Sequence, residues 1–141
     1  MMNFFEHSDL KYDSQQMNAT VLAYIGDSVY ELFVRTLVVQ SGGKVNTMHK
    51  QSVEYVKASS QALALQHIAD ELDDKEAAIV RRARNSKNIS VPKNASHTAY
   101  RQATGFEALL GYLFLLKKEE RLEYLMTKSV RVINPNLLEG K

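Results

Sequence analysis

Cysteine and tryptophan are absent from these 141 residues, and proline and glycine are scarce, at 2 and 6. Without cysteine there is no disulfide framework, no thiolate metal site and no cysteine nucleophile, which agrees with a reducing, cytosolic setting. The two prolines, Pro92 and Pro135, and one double glycine, Gly42-Gly43, leave long stretches without a breaker. Long apolar runs are missing as well. The longest covers residues 108–116 between Glu107 and Lys117, well short of the ~20 residues a membrane-spanning helix needs. The N-terminal stretch MMNFFEHSDLKYDSQQ has neither a basic region nor a long apolar one, so no targeting segment is expected. At 45% hydrophobic and 24% charged, the composition excludes a disordered chain. The expectation is one soluble, cytoplasmic domain over 1–141, with its core at about 17–132.

What is present is helical periodicity. From residue 18 to 40, Val21, Leu22, Ile25, Val29, Leu32, Phe33 and Leu37 follow the i, i+3, i+4, i+7 rule. Residues 47–69 read as one or two helices, with Ser59-Ser60 as the weak point. Asp73-Asp74 forms an N-cap signal with Glu76 in the first turn and Arg81, Arg82 and Arg84 at the far end, an order that suits the helix macrodipole. A polar loop, 85–96, contains Pro92. Ser96 or Thr98 caps the next helix, which runs to Lys117, and a last helix at about 119–132 precedes a polar tail. No stretch alternates with a period of two. The fold expected is all-α.

Two carboxylates stand where these helices would otherwise be apolar. In LAYIGDSVYELF, Asp27 follows Gly26 among Ile25, Val29 and Tyr30; in ATGFEALLGYLFLL, Glu107 is surrounded by apolar residues on almost every side. A buried carboxylate is costly without a partner. Gly26 and Gly111 remove bulk beside the two acids, so that two helices crossing there would bring the carboxylates together. Paired hard oxygen ligands, with no Cys or His cluster, suit Mg²⁺ or Mn²⁺. The same residues also fit structural pairing, with Glu107 on Arg101 or another base and Asp27 accepting from a backbone amide or a tyrosine hydroxyl. Glu31, four residues from both Asp27 and Arg35, reads as the surface partner of Arg35. His7, His49 and His67 have no metal-binding spacing.

The formal net charge of +2 conceals an uneven distribution. Arg81, Arg82, Arg84, Lys87, Lys93 and Arg101 place six positive charges in 21 residues without one acid, so the rest of the chain carries −4. Asn85, Ser86, Asn88, Ser90, Asn94, Ser96, His97 and Thr98 add polar groups to the same stretch. Such a segment suits phosphate and 2′-hydroxyl contacts. Only Tyr100 supplies an aromatic ring, which argues against a stacking platform for single strands. A solvated helix end is the plainer alternative, but this segment leads directly into the helix that carries Glu107.

LAYIGDSVYELFVR resembles the signature helix of the ribonuclease III endonuclease domain, and FEALLGYLFL resembles its second acidic helix. RRARNSKNISVPKNASHTAYRQATGFEALLGYLFLLKKEERL is similar to the pattern of Mini-III, the short bacterial branch without a double-stranded-RNA-binding domain. The resemblance covers roughly residues 17–125, and only 34 residues follow Glu107, too few for such a domain to be appended. By this resemblance, Asp27 and Glu107 are the Mg²⁺ ligands, with Mn²⁺ as a substitute, of an endoribonuclease that cuts double-stranded RNA. Two further acids of full-length ribonuclease III are replaced by Ala23 and Thr104, as in Mini-III proteins. The resemblance also implies a homodimer, with Tyr30, Phe33 and Leu37 as candidates for its apolar patch. The implied substrate is precursor 23S ribosomal RNA, with a large-subunit ribosomal protein as accessory partner. Arg81, Arg82, Arg84, Asn85, Lys87, Lys93, His97 and Arg101 would hold the RNA. The reading that competes with it is a non-catalytic helical module that binds ribosomal RNA or a ribosomal protein.

Overall fold

The computed structural model describes residues 17–87 and 89–139; the N-terminal stretch 1–16, with His7, and Asn88 lie outside them. Among the described residues the protein is all helical, with seven α-helices and one 3₁₀ turn. Helix α1 (Ala19–Val39) starts where the Asn18 side chain accepts from the Thr20 amide at 2.9 Å. It ends before Gly42 and Gly43, both at positive φ. Helices α2 (Val45–Val56) and α3 (Ala58–Ile68) meet at Lys57, whose extended backbone breaks the run two residues ahead of Ser59. The break falls there because two α3 side chains cap the carbonyls that α2 leaves unpaired. Ser60 Oγ donates to the Glu54 carbonyl at 2.5 Å and Gln61 Nε2 to that of Val56 at 2.9 Å.

A 3₁₀ turn (Ala69–Glu71) leads to α4 (Asp74–Arg84). Asp73 and Glu76 form a full capping box, with bonds of 2.8 and 2.9 Å between each side chain and the other's amide. Ser96, rather than Thr98, caps α5 (His97–Leu115) by accepting from the Ala99 amide. Helix α6 (Glu119–Ile133) follows Lys117, which takes positive φ. The tail contains one further turn, α7 (Asn136–Glu139), whose Leu137 is buried. Its polar appearance in the sequence therefore conceals one core residue.

Helix α5 is the centre. It packs against α1, α3, α4 and α6, and from Ala108 to Leu113 every residue is buried. A helix apolar all round has no other stable place. Tyr30 sits fully buried on the opposite side of α1 from solvent, its ring edge-on to Phe106 at 5.0 Å. It therefore belongs to the core and not to an outward patch. Phe33 and Leu37 are half-buried against the same core. The apolar side chains that α1 does expose are Val21, Tyr24, Leu32 and Val39, which share one helical face with Ser28 and Arg35. The buried Glu76 carboxylate pairs with Arg121 of α6 at 2.8 Å and 3.0 Å, and Arg121 also donates to the Glu71 carbonyl. This pair ties the start of α4 to α6. None of the helices, among the described residues, is long and apolar enough to cross a membrane.

The α1–α5 contact leaves no room for side chains at two positions. A Cβ on Gly26 would lie 1.6 Å from the Glu107 carbonyl oxygen, and one on Gly111 would lie 2.0 Å from that of Leu22. Each glycine faces the backbone of the other helix, so the axes cannot accept a side chain at either position. Gly26→Ala and Gly111→Ala should each cost about 3 kcal/mol or more in urea denaturation, because a backbone cannot yield as a side chain can. Gly43→Ala, at φ +102 in open space, should cost only about 1 kcal/mol, from backbone strain alone.

Candidate active site

The glycine crossing sets the positions of the two acids. Glu107 contributes the backbone carbonyl that touches Gly26, and Asp27 is the next residue along α1. Their carboxyl groups lie close enough for the Asp27 charge to act on Glu107. They differ in exposure: Glu107 is half-buried and Asp27 is exposed. Burial of both, expected from the apolar residues around them, holds only for Glu107. Asp27 lies about 100° around α1 from the crossing, which takes its side chain to the solvent edge.

This arrangement pushes the Glu107 carboxyl from 4.5 up to about 8. Burial is the largest cause and the neighbouring Asp27 charge the second; a hydrogen bond from Gln61 opposes them, and Glu31 adds a smaller repulsion. Gln61 Nε2 donates to Glu107 Oε2 at 3.1 Å. Glu31 is held by Arg35 at 3.1 Å, as its spacing predicts. Arg101 does not reach Glu107. It donates to the carbonyls of Arg84 and Ser86, both at 3.0 Å, and so closes the α4–α5 loop. The structural pairing that Arg101 offered to Glu107 is therefore not the one formed.

The acid pair fits a hard divalent cation. Two like carboxylates share one small site, and one of them is forced to keep its proton at neutral pH, a repulsion that a cation would relieve. Among the described residues, no group of three or more His, Cys, Asp or Glu side chains is arranged to hold a metal. The protein would thus offer two carboxylates and leave most positions to other oxygens. Mg²⁺ is suited to that donor set, because it keeps several waters and is commonly held by one or two carboxylates plus substrate phosphates. The buried Gln61 Oε1 has no hydrogen-bond partner among the described residues.

The basic segment forms a second region at the other end of α5. Arg81, Lys87, Lys93 and His97 are exposed, and Arg84 is half-buried. Arg81 and Arg84 line a groove of about 730 Å³ with Leu63, Ser96, Thr98 and Gln102. The groove lies between α3, α4 and the start of α5 and includes neither acid. Arg82 donates to the Met17 carbonyl at 2.5 Å, which ties α4 to the start of α1. Asn85 is the C-cap residue of α4. The segment thus divides its labour: Arg82, Asn85 and Arg101 make contacts within the chain, while the remaining cations face outward or into the groove.

Gln61 escaped the reading of the sequence as a site residue. One signal was available: it falls on the same α3 face as Ala64, Leu65 and Ile68, all of them buried, where an amide is out of place.

A family model described as the Ribonuclease III domain matches residues 20–118, a stretch that includes both acids and the whole basic segment. The chain is 48% identical over 136 residues to the Mini-ribonuclease 3 of Thermoanaerobacter sp. (strain X514), covering 94% of this chain and 96% of that one. It is 40% identical over 124 residues to the Mini-ribonuclease 3 of Enterococcus faecalis (strain ATCC 700802 / V583), covering 86% and 94%. An X-ray crystal structure of a Fusobacterium nucleatum protein superposes with a TM-score of 0.75 at 31% identity, covering 82% of this chain and 93% of that one.

The raised Glu107 carboxyl makes the stability of the metal-free protein depend on pH. The folded chain holds this proton more tightly than the unfolded chain does. The resulting stabilisation is complete below 4.5 and is lost as pH rises to about 8. Glu107→Gln, neutral at every pH, should remove that loss. Denaturation midpoints of wild type and variant should therefore diverge in favour of the variant as pH rises through this window; a constant difference would exclude the shift.

Proposed function

The chain belongs to the ribonuclease III domain family, in its mini-ribonuclease 3 branch, and is thereby an endoribonuclease; from that premise we propose that it hydrolyses double-stranded RNA with Mg²⁺ held by Asp27 and Glu107. The observation that carries this reading is the juxtaposition of those two carboxylates at the Gly26–Gly111 crossing. Mn²⁺ is a fitting substitute, because it takes the same hard oxygen donors.

When bound, the ion supplies charge neutralisation at the scissile phosphate and makes an attacking water more acidic. The chain's own residues do the rest. Asp27, at the solvent edge, presents its oxygens where a duplex backbone can reach them. Glu107, deeper in the crossing, must release its proton before it can serve as a ligand, so that cation binding strengthens as pH rises. Gln61 and Glu31 border the pair from α3 and α1. The packed α5 supports Glu107 from behind, which limits the movement of its backbone during turnover.

The basic segment is the proposed grip on the duplex, through Arg81, Arg82, Arg84, Asn85, Lys87, Lys93, His97 and Arg101. Arg81, Lys87, Lys93 and His97 take the phosphates, and Arg101 keeps the loop that carries them in shape. Charge and shape, rather than base edges, dominate recognition of an A-form duplex, which suits a surface of this kind.

The assembly proposed is a homodimer. Its support is the exposed apolar stripe of Val21, Tyr24, Leu32 and Val39 on α1, a face that a second copy could cover isologously. With one site in each protomer, both strands of a duplex are cut. The substrate proposed is precursor 23S ribosomal RNA in the cytoplasm, matured at its ends, with a large-subunit ribosomal protein as the accessory partner. That assignment rests on the resemblance to the Mini-III branch.

Asp27→Asn should fold normally and lose cleavage of a labelled RNA duplex, and excess chelator should silence the wild type in the same way. Full activity in either case would sink the mechanism. On the binding side, Arg81→Ala and Lys93→Ala should each lower the slope of log affinity against log salt by about 1, measured with the uncleaving Asp27→Asn protein.

A further inference from the structure

Gln61 is 2% exposed, and both hydrogens of its amide nitrogen are committed. One bonds the Val56 carbonyl at 2.9 Å and the other Glu107 Oε2 at 3.1 Å. The orientation of the amide follows from chemistry: reversed, its oxygen would face the Val56 carbonyl, which cannot donate. The Val56 carbonyl is itself fixed, because it ends α2 at the corner where Lys57 turns the chain into α3. Gln61 is thus braced against one helix end and reaches 46 positions along the chain to one carboxylate of the acid pair. Its own acceptor, Oε1, is buried and makes no bond among the described residues.

A structural amide has no need of that combination. Capping α2 requires one hydrogen bond, and Ser60 already caps the neighbouring Glu54 carbonyl. The second N–H instead holds a carboxylate that burial and Asp27 both disfavour as an anion. Partners of this kind, which orient a ligating side chain without binding the metal themselves, commonly set metal affinity.

We propose that Gln61 is a positioning residue of the endonuclease site: its amide N–H, braced on the Val56 carbonyl, holds the Glu107 carboxylate in the orientation that receives the divalent cation. The inference rests on the acid pair being the cation site. Asp27 has no such brace from Gln61, so the two carboxylates differ in role. Glu107 is the prepositioned ligand, and Asp27 is the exposed one that adjusts to ion and substrate.

The test is direct Mn²⁺ binding to the full chain without RNA, followed by the magnetic resonance signal of the free ion, in wild type, Gln61→Met and Asp27→Asn. Gln61→Met keeps length and apolar bulk but removes both N–H donors. It should weaken Mn²⁺ binding by about 10- to 100-fold and raise the Mg²⁺ concentration for half-maximal cleavage by a similar factor, with kcat recovering at saturating Mg²⁺. A purely structural role would lower the melting temperature and leave the affinity of the folded protein unchanged, so an affinity within twofold of wild type overturns the proposal.

A second measurement needs no variant at Gln61. Saturating Mg²⁺ should shift the ¹⁵N–¹H signals of the Gln61 side-chain amide in wild type and leave them in place in Asp27→Asn. Unmoved signals in a wild type that binds the ion count against the proposal, whether or not Gln61→Met folds. Were wild type to bind no more Mn²⁺ than Asp27→Asn, the cation site itself would fall and this inference with it. Loss of binding in Asp27→Asn, with Gln61→Met equal to wild type, would remove only the role of Gln61.

Discussion

The close crossing of α1 and α5 is the constraint on which the rest depends. Gly26 and Gly111 each lie against the backbone of the other helix, at distances no side chain could occupy. Two helices brought that near carry their flanking side chains with them, and on one flank these are Asp27 and Glu107. The energetic cost of two carboxylates together is met by the packing of α5, buried from Ala108 to Leu113. Stability and chemistry therefore share one feature. The core holds the acids in a juxtaposition that they would not adopt by themselves.

Around this crossing the remaining polar interactions act as braces. Glu76 and Arg121 join α4 to α6, Arg101 closes the loop between α4 and α5, and Gln61 joins the α2–α3 corner to Glu107. Each satisfies a backbone carbonyl or a carboxylate that would otherwise be unpaired. The exposed charges are arranged differently. Arg81, Lys87 and Lys93 make the surface near the start of α5 positive, while Glu107 sits further along the same helix.

Much of this was legible in the residues themselves. The helix periods, the Asp73–Glu76 capping box, the Glu31–Arg35 pair, the central place of α5 and the part played by the two glycines all follow from local pattern or from side-chain volume. Local pattern misplaced the α2–α3 break by two residues, because the capping bonds of Ser60 and Gln61 decide it. The resemblance offered Tyr30 as a candidate for the dimer patch, although its side chain points into the core against Phe106. Periodicity identifies an apolar face but does not say how far around the helix the core extends.

The order of residues by itself determined an all-helical chain, two acids beside two glycines, and a block of six positive charges; these are properties of composition and spacing over a few turns. Only the tertiary structure decided that Glu107 is half-buried while Asp27 meets solvent, that Arg101 serves carbonyls rather than Glu107, and that Gln61 holds that carboxylate. Each of these depends on where one helix face lies against another. The bond from Gln61 spans 46 positions, a distance over which no helical period carries information, and it exists because α3 and α5 pack side by side.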